Sequence, residues 1–257
     1  MRLIVLGCSG SGPGPDSPAS GYLVRAGGVT LALDLGNGTF SPLQRELDPF
    51  ALTALAFSHL HPDHCGDLTA LVVHRRYHPE PPYDPARHRL PVLAPGTAPD
   101  RFAAAYATSA VERAETDLSD VLDFAALTDG AEVTVGPVAL RAAAVDHPCE
   151  AYALRVDHGG RALVYSGDTG PCAGLVDLAR GADALLCEAT WPHSPTAPAG
   201  VHLSGRQAGE HAAAAGVGRL LLTHVPVWHD PGELLAEAKE AFDGPVELVT
   251  PGAGYEI

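Results

Sequence analysis

The chain has 257 residues, 46% of them hydrophobic, which is enough apolar material for a sizeable core and excludes an intrinsically disordered chain. Its 16 Lys and Arg against 31 Asp and Glu leave a formal net charge of −15, with no basic run or aromatic-interleaved basic stripe, so a long nucleic acid is a poor partner. Five scattered cysteines without a C-x-x-C spacing read as free thiols of a reducing compartment, and no apolar run approaches the roughly 18 residues of a membrane-crossing helix, so the expected location is the cytoplasm.

Arg2 to Gly7 reads as a short strand that breaks into a Gly/Ser/Pro loop from Ser9 to Ser20. Gly21 to Ala26 and Val29 to Leu33 form a hairpin across Gly27-Gly28. A short helix is expected from about Pro42 to Leu47, a buried strand at Leu55 to Ser58, and a helix from Asp67 to Tyr77. The Pro-rich stretch from His78 to Pro99 is expected to wrap the surface, and Ala103 to Ala114 to form one helix. Val133 to Val135, Val138 to Val145, and the pair Tyr152 to Val156 and Ala162 to Ser166 read as strands. The last third alternates: helix Ala173 to Arg180, strand Ala184 to Cys187, helix Ser204 to Ala215 with Ser204 as N-cap, strand Arg219 to Thr223, helix from Pro231, and strand Val246 to Val249. Strands early and late, with helices between, predict one α/β domain over 1–257, a four-layer αβ/βα sandwich of two similar halves.

The chemistry is densest in Ser58-His59-Leu60-His61-Pro62-Asp63-His64-Cys65-Gly66-Asp67, directly after a buried strand. Three imidazoles and a carboxylate within six residues suit Zn, Mn or Fe. Further on come His147 in Val145-Asp146-His147-Pro148, Asp168 in Ser166-Gly167-Asp168-Thr169, and His224 in Leu222-Thr223-His224-Val225.

Together these resemble the metallo-β-lactamase superfamily over essentially the whole chain. The resemblance implies two divalent ions, Zn2+ ahead of Mn2+ or Fe2+. His59, His61 and His147 would hold one, and Asp63, His64 and His224 the other, with Asp168 between them. It also implies metal-assisted hydrolysis, with Asp63 as an acceptor for the proton of a nucleophilic water. Asp146 and Asp67 are expected to orient ligand imidazoles. Asp34 matches a family position near the site, where it would fix the loop around the metals.

Within the superfamily, Asp168 disfavours β-lactamase chemistry. Cys187-Glu188-Ala189-Thr190 and His202-Leu203-Ser204 resemble motifs of the ribonuclease Z branch, with Cys in place of a His. That implies a relay in which Glu188 tunes His202, and His202 protonates the leaving oxygen. The long tRNA-gripping arm of that branch would fall between His147 and Asp168, where only twenty residues lie. The resemblance is greater to short actinobacterial members, through Leu6-Gly7-Cys8-Ser9-Gly10-Ser11 and Arg75-Arg76-Tyr77-His78-Pro79 among other stretches. That group includes an atypical cyclic-AMP phosphodiesterase. The expected activity is therefore hydrolysis of a cyclic 3′,5′-nucleotide, a small anionic phosphodiester, to its 5′-monophosphate. Endonucleolytic tRNA 3′-end processing is the alternative, and a metal-binding scaffold without turnover a third reading. Relatives of this kind also dimerise. Arg75 and Arg76 are expected on an exposed helix end, with contact to substrate as the rarer outcome. Tyr77, His78 and Trp191 are candidates for stacking on a base, ordinary packing being the commoner role. Cys65 and Cys187 read as small buried fillers.

Overall fold

The computed structural model describes residues 1–257. The strands of the first half are β1 (Arg2–Gly7), β2 (Gly21–Ala26), β3 (Val29–Leu35), β4 (Ala54–Ala56), β5 (Leu90–Ala94) and β6 (Leu122–Ala126). Those of the second half are β7 (Glu132–Val135), β8 (Val138–Ala144), β9 (Tyr152–His158), β10 (Arg161–Tyr165), β11 (Ala184–Glu188), β12 (Leu220–Thr223) and β13 (Val246–Leu248), and β14 (Gly254–Glu256) returns to the first sheet. They form two seven-stranded sheets, ordered β14-β1-β2-β3-β4-β5-β6 and β13-β12-β11-β10-β9-β8-β7. Each sheet turns from antiparallel to parallel partway across, at β3–β4 in the first and β10–β11 in the second.

The helices are α1 (Phe40–Glu46), α2 (Pro62–Cys65), α3 (Leu68–Tyr77), α4 (Ala98–Tyr106), α5 (Ala110–Glu115), α6 (Ala173–Ala179), α7 (Gly205–Ala215) and α8 (Pro231–Ala241). Three apolar clusters separate the layers. Because side chains alternate along a strand, Leu3 and Val5 of β1 face the second sheet, while Ile4 and Leu6 face the helices of the first half. The third cluster packs α6, α7 and α8 on the outer face of the second sheet. This is the four-layer arrangement that the sequence predicts. No helix is long and apolar enough to cross a membrane.

The helix starts follow local chemistry. Ser204 and Gln207 form a reciprocal capping box at α7, and the Asp230 carboxylate accepts from Gly232 ahead of α8, with Pro231 in its first turn. Two expectations fail. Within the Pro-rich stretch, Leu90–Ala94 is a strand inside the first sheet, not a surface wrap. The ladder with β4 begins only at Val92, so the N–H that Pro91 lacks is not needed on that side. The expected single helix from Ala103 to Ala114 is two helices. The chain turns extended at Ala107, and the Ser109 hydroxyl accepts from Glu112 N to start α5. Strands β6 and β14, short and at sheet edges, also lie outside the predicted elements.

Candidate metal centre

The site residues sit where parallel strands end. Strand β3 ends near Asp34, β4 runs into His59, β10 into Asp168, β11 ends on Glu188 and β12 precedes His224. Ligand sites in α/β sheets characteristically lie outside such carboxyl ends. After β4 the chain turns at Ser58 and reaches Pro62, which opens the one-turn α2 and aims Asp63 and His64 inward.

Two groups of ligating atoms result. His59, His61 and His147 form one, and Asp63, His64, Asp168 and His224 the other, each with its atoms within 4.8 Å of one another. In the first, His61 Nδ1 lies 3.0 Å from His59 Nε2 and 3.2 Å from His147 Nε2. In the second, Asp168 reaches His64 Nε2 at 3.1 Å and His224 Nε2 at 3.3 Å, and Asp63 lies 3.6 Å from His64. Asp168 Oδ2 is also 3.7 Å from His59 Nε2, so this carboxylate stands between the groups. The structure thus draws together all seven residues that the sequence nominates from four separate stretches.

Four of the five rings have their outer nitrogen tied down. Nδ1 of His64 is bonded to Asp34 at 2.7 Å, that of His224 to Ser20 Oγ at 3.0 Å, that of His59 to Ser58 Oγ at 3.1 Å, and that of His147 donates to the Val201 carbonyl at 2.9 Å. Each therefore turns Nε2 inward, as metal-ligating imidazoles do. Asp34 is fully buried, and its carboxylate also accepts from Ser58 N, Ser58 Oγ and Tyr165 Oη. Asp34 and His224 both adopt left-handed backbone, φ 57° and 59°, which non-glycine residues hold only when their surroundings impose it. Gly36 lets the chain pass so near the Asp63 carbonyl that a Cβ would collide with it.

The donor set fits a divalent cation. His64 Nε2 and Asp168 Oδ1 are both buried, face one another, and lack an aligned hydrogen-bond partner, a costly state that a cation between them removes. Burial holds the His59 and His147 pKa values below the usual imidazole range and takes His224 down to about 4, so these rings are neutral and ready to ligate at pH 7. Burial also opposes the charged forms of His64 and Asp168. The Asp168 and Asp34 carboxylates outweigh it at His64 and raise that pKa, while His224 and His64 outweigh it at Asp168 and lower that one.

Beside these groups lies a third, Asp168, Glu188 and His202. Glu188 is fully buried and accepts from Thr169 N, Thr190 Oγ1 and Leu203 N, and its Oε1 is 3.0 Å from His202 Nδ1. His202 Nδ1 is 3.8 Å from Asp168 Oδ2, and the Trp191 ring packs edge-on against the imidazole at 5.1 Å. Burial lowers the His202 pKa, but the adjacent Glu188 carboxylate more than compensates, so the net shift is upward.

Other expectations need correction. Asp67 orients no imidazole: its carboxylate accepts from Phe40 N at the start of α1. Asp146 lies against Gly200 and pairs with no histidine. Arg75 is neither solvated nor bonded to any residue of the metal centre. It is 1% exposed, donates to the Val121 and His88 carbonyls and Tyr83 Oη, and lies over the Phe50 ring. Arg76 is paired with Asp120. Tyr77 is exposed, and His78 packs on Phe50. Cys65 and Cys187 are buried free thiols. Sequence reasoning missed Ser20, Ser58, Tyr165, Thr190 and the Val201 carbonyl. Ser58, adjoining the histidine run, and Thr190, two residues after Glu188 in the quoted motif, carried a local signal.

Residues 26–225 match the family model described as the beta-lactamase superfamily domain. The chain is 48% identical to uncharacterized protein ML1173 of Mycobacterium leprae over 259 residues, covering 100% of this chain and 89% of that one. It is 34% identical to a ribonuclease Z of Mycobacterium avium over 272 residues, covering 96% of this chain and 95% of that one. Among solved structures, the metallo-beta-lactamase fold protein YhfI of Bacillus subtilis matches with a TM-score of 0.86 at 27% identity, covering 99% of both chains.

Proposed function

This chain belongs to the beta-lactamase superfamily and is a metallo-hydrolase of that family, and from that premise we propose that it is a two-metal phosphodiesterase that opens a cyclic 3′,5′-nucleotide, cyclic AMP foremost, to the 5′-monophosphate. The observation that carries the reading is the Glu188–His202 pair, set 3.0 Å apart and 3.8 Å from the Asp168 carboxylate. Hydrolysis of a cyclic diester expels a sugar alkoxide, a poor leaving group that needs a proton as it departs. A positioned imidazole beside the metal ligands supplies one, a contribution of typically 10²–10⁴ in rate.

In this reading His59, His61 and His147 would hold one cation and Asp63, His64 and His224 the other, with the Asp168 carboxylate standing between the two groups. The cations, when bound, supply Lewis acidity toward the phosphoryl oxygens and acidify water. Asp63 accepts a proton from the attacking water. Glu188 orients His202 and favours its protonated form, and His202 gives that proton to the 3′ oxygen.

Ribonuclease Z-like cleavage of precursor tRNA is the second reading, supported by the 34% identity to the Mycobacterium avium ribonuclease Z. The net charge of −15 weighs against it. So does the segment between His147 and Asp168, taken up by the β9–β10 hairpin with no room for a substrate-gripping arm. The deciding assay offers cyclic AMP, cyclic GMP and a precursor tRNA to the Zn- or Mn-loaded protein. Release of 5′-AMP from cyclic AMP is expected. Cleavage of the tRNA alone would overturn the proposal.

A further inference from the structure

We infer that a second cavity, beside the metal centre but distinct from it, binds an uncharged nitrogen heterocycle of nucleobase or nucleoside type. The cavity, about 660 Å³, opens at the carboxyl ends of β12 and β13, between the loop after β1 and the chain following His224. That volume falls within the range of small-molecule sites. Leu222, Val225, Val227 and Leu248 give it apolar walls suited to a flat ring.

Two polar features set the ligand chemistry. Ser9 lines the cavity, is 3% exposed, and its hydroxyl has no hydrogen-bond partner. A buried hydroxyl left unpaired is unfavourable, and a ring nitrogen or N–H placed there relieves it. No Lys or Arg lines the cavity, Asp16 does, and the imidazole of His229 is the one lining group able to carry positive charge, so N–H donors are favoured over a phosphate or carboxylate. A neutral heterocycle with an exocyclic amine or ring N–H meets both conditions.

The cavity is mechanically tied to the metal centre. Ser9 forms a parallel bridge with Val225, the residue after the ligand His224. Gly10 packs so closely on the His224 backbone that a Cβ would strike its carbonyl. Filling the cavity therefore bears on the segment that holds His224 in its left-handed conformation.

The test is calorimetric titration of adenine and of adenosine into the full-length, zinc-loaded protein. It needs no turnover, so its outcome is separate from that of the diesterase assay. One equivalent of either probe is expected to bind the wild type. Ser9→Ala is expected to weaken binding about fivefold, the effect of one lost hydrogen bond. Thr250→Trp, at an exposed position on the cavity rim, is expected to abolish binding. Absence of binding by both probes at millimolar concentration would overturn the inference. Binding unchanged by Ser9→Ala would overturn it too, and that variant decides the matter if Thr250→Trp does not fold.

Discussion

Asp34 Oδ2 lies 2.7 Å from Nδ1 of His64, and both residues are fully buried. The same carboxylate holds Ser58 through its N–H and hydroxyl, and Ser58 Oγ lies 3.1 Å from His59 Nδ1. One side chain thus sets the angle of an imidazole in each of the two ligand groups. Asp34→Ala is expected to lower metal affinity by about 10–100-fold, the usual cost of losing such an outer partner. Competition against a chromophoric chelator measures it, and unchanged affinity would show that Asp34 orients neither ring.

Chelation should be visible in stability as well as in activity. Ligand at about 100 times its Kd stabilises a fold by about 2.7 kcal/mol, and for a chain of this size each kcal/mol is worth about 2–4 °C. Removal of metal is therefore expected to lower the melting temperature by about 5–10 °C, with zinc restoring it. The response should vanish in Asp168→Ala, which removes the carboxylate between the groups. A chelator-insensitive melt in the wild type would contradict the fit of these residues to a cation.

The role of His202 is separable from that of the metal ligands by the choice of leaving group. His202→Ala is expected to slow cyclic nucleotide hydrolysis by about 10²–10⁴. The same variant should turn over bis(p-nitrophenyl) phosphate within about tenfold of the wild type, because p-nitrophenolate departs without a proton. Equal losses on both substrates would remove His202 from proton donation. Glu188→Gln, which leaves the imidazole without its carboxylate, should follow the same pattern more weakly.

Arg75 tests a purely structural assignment. Its guanidinium is buried against Phe50 and Tyr83 and satisfies two carbonyls from the loops flanking β5 and β6. Arg75→Ala strands those acceptors, and is expected to cost about 2–4 kcal/mol in urea unfolding while leaving KM unchanged. Lysine cannot reproduce the forked geometry and should recover only part of the loss. A rise in KM at unchanged stability would return Arg75 to the substrate.

The layered fold was legible because its signals are local. Continuous apolar runs mark β1 and β10, buried on both faces, and Ser204 and Pro231 announce α7 and α8. The failures were places where local signals mislead. Pro91 argues against a strand until the β4 ladder is seen to start one residue later. Ala103 to Ala114 has helical composition throughout, yet the Thr108-Ser109 hydroxyls both bond Glu112 and favour a new helix start over continuation.

The sequence by itself determined which ligand types are present and that four of them crowd into His59–His64, since six consecutive residues cannot separate. Only the tertiary structure decided how the rings face. Ser20 meets His224 across 204 residues and Asp34 meets Tyr165 across 131, and no local pattern encodes such a pairing. It likewise decided that Arg75 is buried and that Asp67 caps a helix. The physical reason is that a residue type fixes which bonds a side chain can make, while the packing of distant strands fixes which of them it does make.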